Sequence, residues 1–173
     1  IGTTQGERGI ESDNDGDNFD LMPRTAPQIA NVTVLGNSGR MDDSDTEGAL
    51  HREGFGGQVY RSVFTDDTPA GGAFENGCLD IDDQSAMASG LRHFDSVFNC
   101  SGGTAMGDLS DDTDDGAMMG SFQADAVAAG NINSVMGQVT VDPDTLAVTV
   151  QGASPSQALP SGGFFQQADY FGA

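Results

Sequence analysis

Three short clusters of β-branched and aromatic residues recur along the chain at a spacing that few folds can accommodate. Val32-Thr33-Val34, Ser62-Val63-Phe64 and Ser96-Val97-Phe98 sit at the centres of the extended runs Ile29 to Asn37, Val59 to Asp67 and Leu91 to Cys100. Their first residues are separated by 62 − 32 = 30 and 96 − 62 = 34 positions, which is a solenoid period. A second kind of segment alternates with them, each led by glycine: Gly9-Ile10-Glu11-Ser12-Asp13, Gly48-Ala49-Leu50-His51-Arg52 and Gly77-Cys78-Leu79-Asp80-Ile81-Asp82. One repeat of short strands cannot bury its own inner face, whereas stacking repeat on repeat builds a continuous core and satisfies the backbone between them. The expected fold is all-β, a right-handed parallel β-helix with acidic loops, and a β-sandwich with irregular hairpins is the alternative. Ile29, Val32, Val34, Val63, Phe64, Val97 and Phe98 are the expected inward residues.

The rest of the chain agrees with a strand-and-turn architecture. A length of 173 residues suits one domain, 1–173, and its 25 Gly and 6 Pro beside many Asp, Asn, Ser and Thr leave little room for long helices. Ser121 to Ala129 is the one segment expected to be helical. Val139-Thr140-Val141 and Leu146 to Val150 flank Asp142-Pro143-Asp144-Thr145, which predicts a hairpin or a coil corner.

Charge excludes several partners. Six arginines, no lysine and 27 carboxylates give a formal net charge of −21. Such a chain repels phosphate backbones and anionic lipid heads, so nucleic acid and membrane surfaces are disfavoured and cations are the natural small partners. The carboxylates gather in short insertions, and calcium is the expected cofactor because it takes six to eight oxygens from Asp, Asn and carbonyls in tight turns. The candidate ligands are Asp13, Asp15 and Asp17; Asp42, Asp43 and Asp45; Asp80 and Asp82, which alternate toward one face of a strand; and Asp111, Asp112 and Asp114. The first cluster is no EF-hand, since Asn18 stands where that loop needs Gly and Arg24 where it needs Glu. A solvated acidic loop is the alternative reading of each cluster.

Cys78 and Cys100 are the only cysteines. They are expected to form one disulfide in an oxidising, extracellular compartment, with two buried thiols as the alternative. No apolar stretch approaches the ~18 residues needed to cross a bilayer as a helix. The chain begins at Ile1 without methionine or signal peptide, and so reads as a mature product or a fragment. His51 and His93, on strands of different kinds, are expected to be surface or packed residues and not zinc ligands. No nucleophile elbow, phosphate loop or dinucleotide fingerprint occurs, and no catalytic residue is expected.

Several phrases taken together resemble a family. They are Arg8-Gly9-Ile10-Glu11-Ser12-Asp13-Asn14, Pro23-Arg24-Thr25-Ala26-Pro27 with Ile29-Ala30-Asn31-Val32-Thr33, Arg52-Glu53-Gly54, Cys78-Leu79-Asp80-Ile81-Asp82 and Asp169-Tyr170-Phe171-Gly172-Ala173. They are similar to the C-terminal half of right-handed β-helix surface or lipoprotein-like proteins of aquatic Gram-negative bacteria. The resemblance implies that an N-terminal half precedes Ile1, that the location is extracellular or on the outer-membrane surface, and that no catalytic residues carry over. The expected role is that of a calcium-stabilised structural or cell-surface protein, a homo-oligomer, filament subunit or adhesin stalk. The alternative is a carbohydrate-active or glycan-binding module on the same fold, since paired carboxylates such as Asp80 and Asp82 are what glycoside hydrolysis requires.

Overall fold

The computed structural model describes residues 8–36, 47–66, 74, 78–81, 90–100, 132–134, 138–152, 159–160 and 165. Among them every regular element is a strand: β1 (Arg8–Ser12), β2 (Gln28–Ala30), β3 (Thr33–Leu35), β4 (Glu47–His51), β5 (Gln58–Tyr60), β6 (Val63–Thr65), β7 (Leu79–Ile81), β8 (Arg92–Asn99), β9 (Ile132–Ser134), β10 (Gln138–Val141) and β11 (Val148–Gln151). The segment expected to be helical, Ser121 to Ala129, lies outside the described residues.

The repeat seen in the sequence becomes strand pairing. Strands β1, β4 and β7 form one parallel sheet, with Arg8 opposite Glu47 and Ala49 opposite Leu79. Strands β2, β5 and the first half of β8 form a second parallel ladder, with Ile29, Val59 and His93 in register. Strands β3, β6 and the second half of β8 form a third, with Val34, Phe64 and Phe98 in register. The steps along the second and third ladders are 30 and then 34 residues, the two intervals that the β-branched clusters predict. Because β8 runs through both ladders they join as one folded sheet, order β2-β5-β8-β6-β3, and β9 adds a further parallel strand on β8.

A column of left-handed residues makes the corner between the second and third ladders. Asn31, Arg61 and Asp95 follow one another at the repeat spacing and all have positive φ, at 57°, 49° and 52°. This conformation bends the strand at one residue without ending it, and for a residue with a Cβ it costs about 1–2 kcal/mol. Asn and Asp tolerate it through their short polar side chains. At Arg61 the stacked backbone enforces it: Asn31 N donates to Tyr60 O at 3.0 Å and Arg61 N to Phe94 O at 2.9 Å, so each corner is held by the next.

The main core lies between the first sheet and the two ladders facing it. It holds Val34, Ala49, Phe55, Val59, Phe64, Phe74, Cys78, Leu79, Ile81, Leu91 and Phe98, with Ile10, Ile29, Val32 and Cys100 packed at its margin. Phe64 stacks on Phe98 with ring centroids 5.3 Å apart. Gly48 is required by close approach, since a Cβ there would lie 2.5 Å from the carbonyl oxygen of Cys78, just before the next strand. Cys78, and not Gly77, is therefore the residue opposite Gly48, one position off the alignment that the glycine-led segments suggest.

Two of the expected inward residues point the other way. Val63 and Val97 are fully buried, but in a separate cluster with Val139, Val148 and Val150. The reason is the pleat: Val63 adjoins Phe64 and Val97 adjoins Phe98, and neighbouring side chains on a strand leave on opposite faces. The antiparallel β10–β11 hairpin covers that outer face, with Val139 opposite Val150 and Val141 opposite Val148. Its turn is built as the sequence predicts, with Asp142 Oδ1 accepting from the backbone N–H groups of Asp144 and Thr145 at 2.9 and 2.8 Å.

The disulfide between Cys78 and Cys100 is present. Cys78 lies just before β7 and Cys100 just after β8, so the bond ties the first sheet to the third ladder across a single repeat.

Candidate functional site

The acidic loop after β1 is braced by arginines from within the fold. Arg52 Nε donates to Asp13 Oδ1 at 2.8 Å, and its Nη2 to Glu11 Oε1 at 2.7 Å. The guanidinium is held above its ordinary pKa chiefly by the Asp13 hydrogen bond. Asp15 Oδ1 accepts from the backbone N–H groups of Asp17 and Asn18, at 3.1 and 2.8 Å. Asn14 donates to the carbonyls of Phe19 and Leu21, and its Oδ1 accepts from Thr25 N–H. Asp17 is exposed. Asp13 and Asp15 thus each have one oxygen engaged inside the protein. Asp80 lies on β7, half-buried between the fully buried Leu79 and Ile81. Asp42, Asp43, Asp45, Asp82, Asp111, Asp112 and Asp114 lie outside the described residues. Among the described residues no group of three or more His, Cys, Asp or Glu is arranged to hold a metal ion.

The most distinctive polar arrangement is inside the core. His51 comes from the first sheet, in the column Ser12-His51-Ile81, and His93 from the second ladder, in the column Ile29-Val59-His93. Both are fully buried, and their Nε2 atoms meet at 3.0 Å. The ring centroids are 5.1 Å apart, so the imidazoles lie nearly end to end. Phe55 stacks on His51 at 5.0 Å, while Phe64 and Phe98 pack obliquely on His93. Burial pushes His51 down to about 3, and burial followed by the neighbouring His51 pushes His93 well below its ordinary value.

Two neutral imidazoles share one hydrogen bond only if one carries its proton on Nε2 and the other on Nδ1. Neither Nδ1 has a hydrogen-bond partner among the described residues. An unpaired polar atom inside an apolar core costs about 1–3 kcal/mol, so this arrangement is maintained against a penalty.

The two histidines lie on strands of different kinds, and nothing in their local sequence pairs them. Repeat alignment carries the signal that both are inward: His93 falls on Val59 and Ile29, both inward, and His51 is two residues beyond the inward Ala49.

A comparison with protein-family models, with curated proteins and with solved structures finds no match. The class that the structure itself defines is an all-β protein of stacked parallel strands, closed by one disulfide and carrying a buried histidine pair.

Proposed function

We propose that the chain is an extracellular structural or cell-surface protein, built as a right-handed parallel β-helix and stabilised by calcium, whose repeats associate end to end. One observation carries this reading. Strands β1, β2 and β3 are all edges of their ladders among the described residues, and they lie at the same end of the stack. The apolar residues there, Ile10, Ile29 and Val32, are only partly buried, whereas every residue of β4 in the next repeat is buried. Parallel edges with half-covered apolar side chains are templates for another layer of strands. A second copy supplies that layer in this reading, and the contact propagates along the axis. The charge of −21 keeps the lateral faces apart except where calcium bridges them.

Sedimentation and negative-stain imaging in millimolar calcium test the assembly; elongated particles are expected, and monodisperse globular monomers would refute it. Calcium at 100 times its dissociation constant adds about 2.7 kcal/mol per site. Chelation by EGTA at fixed ionic strength should therefore lower the melting temperature, and an unchanged melt rejects a stabilising site.

A second reading, glycan binding, is favoured by the outer face of the second ladder. There Gln28 and Gln58 are hydrogen-bonded at 3.2 Å, beside the partly exposed Phe94, whose ring stacks on the buried Tyr60 with centroids 4.9 Å apart. Amides next to aromatic carbon suit a sugar ring, and a glycan array tests it.

A further inference from the structure

The buried imidazole pair is chemically the most demanding feature of the core, and burial of apolar surface alone gives no reason for it. Two leucines would fill such a position without any unpaired nitrogen. Metal binding does not explain the geometry either. With metal–nitrogen bonds of about 2.0–2.1 Å, an ion shared by two imidazoles needs nitrogens about 3.3 Å apart in tetrahedral coordination and about 4 Å apart on a line between end-to-end rings. The observed 3.0 Å is the distance of an N–H···N hydrogen bond.

A proton is the ligand that fits. We propose that His51 and His93 form a proton-operated lock between the first sheet and the second ladder, closed at neutral pH and released on acidification. Closure depends on both rings being neutral. Among the described residues the groups beside the pair are uncharged: Phe55 beyond β4, Phe64 on β6 and Phe98 on β8 pack on the rings, and the register partners are Ser12 on β1, Val59 on β5, Ile81 on β7 and Ile132 on β9. The buried charged residues Glu47, Arg61, Asp66 and Asp95 contribute to neither imidazole's shift. Among the described residues a protonated ring therefore meets no counter-charge, and the second proton would set two cations end to end.

The direction follows from linkage. The unfolded chain takes up imidazole protons near the ordinary value of about 6.5, while the folded core refuses them, so the unfolded state binds more protons in the interval below. Stability is full above that interval and falls as the pH falls through it. Each imidazole raises the unfolding constant roughly 30-fold between about pH 7.5 and about pH 5, and the pair about 1,000-fold. The carboxylates act in the opposite sense over this window, since neutralising part of a −21 charge relieves repulsion in the compact state.

The chain has only two histidines, so imidazole nitrogen NMR reads the pair without ambiguity. The expected spectrum of the folded protein shows one Nδ1–H and one Nε2–H tautomer, neither titrating down to about pH 5. Urea unfolding across the same range should show a rise of up to roughly 1,000-fold, lessened by the carboxylates, and the His51→Gln/His93→Gln double variant should abolish it. If that variant does not fold, the wild-type NMR and urea measurements still decide. An imidazole that titrates near its ordinary value in the folded protein, or stability that is constant or increases from about pH 7.5 to about pH 5, overturns the lock.

Discussion

Reduction of the Cys78–Cys100 disulfide should lower stability by an amount set mainly by the length of chain it closes. The sequence separation is 22 residues, and the chain-entropy expression gives about 3.4 kcal/mol at 25 °C for a loop of that size. Structural context sets the sign of any departure. The bond joins the first sheet to the third ladder, and Cys78 is fully buried in the main core. Reduction leaves both sulfurs in place and removes only the cross-link, whereas Cys78→Ala/Cys100→Ala also leaves a void and should cost more. The assay is urea unfolding of oxidised and reduced protein at the same pH. With m of about 2–3 kcal/mol/M, the midpoint should fall on the order of 1–2 M, and m itself should rise because the uncrosslinked chain exposes more surface. An unchanged midpoint, or two free thiols titrated in the denatured, unreduced protein, would refute the reasoning.

Three further outcomes are expected. Phe64→Ala removes a fully buried ring stacked between repeats and should cost about 4 kcal/mol in a urea melt. Arg8→Ala removes the guanidinium 2.7 Å from the buried Glu47 carboxylate and should cost about 2–3 kcal/mol. Glu47→Gln in the same background should recover part of that loss, and no recovery would show that the charge is not the cause. Leu146 has φ of 58° and is 58% exposed in the β10–β11 turn, so Leu146→Asn should raise stability by up to about 1 kcal/mol in thermal unfolding.

Much of the strand order was legible in the residues. The clusters at Val32, Ser62 and Ser96 carry the repeat because β-branched and aromatic side chains suit a pleated, half-buried surface. Their spacing reappears as the register of the second and third ladders. The hairpin around Asp142 was legible because its turn chemistry is local, as the Asp142 carboxylate shows: hydrogen bonds from Thr145 and Asp144 hold it below its ordinary pKa. The pairing of Cys78 with Cys100 followed from there being only two cysteines, once the oxidising alternative was chosen.

Facing residues were decided by the tertiary structure. Val63 and Val97 look as suited to the main core as Phe64 and Phe98, and only the hairpin seated outside shows why they are buried on the opposite face. The acidic loop reads as a run of open ligands, yet Arg52, 39 residues beyond Asp13, takes up one of its oxygens. The histidine pair shows the limit most sharply. From the residues, His51 and His93 are each a surface or packed side chain, and the observed strand register puts both in inward columns. That the two columns come from facing sheets, and bring Nε2 to 3.0 Å of Nε2, is decided by how the sheets close over the core. Strand pairing repeats a local pattern along the stack, whereas contact across the core joins residues 42 apart through geometry that neither neighbourhood encodes.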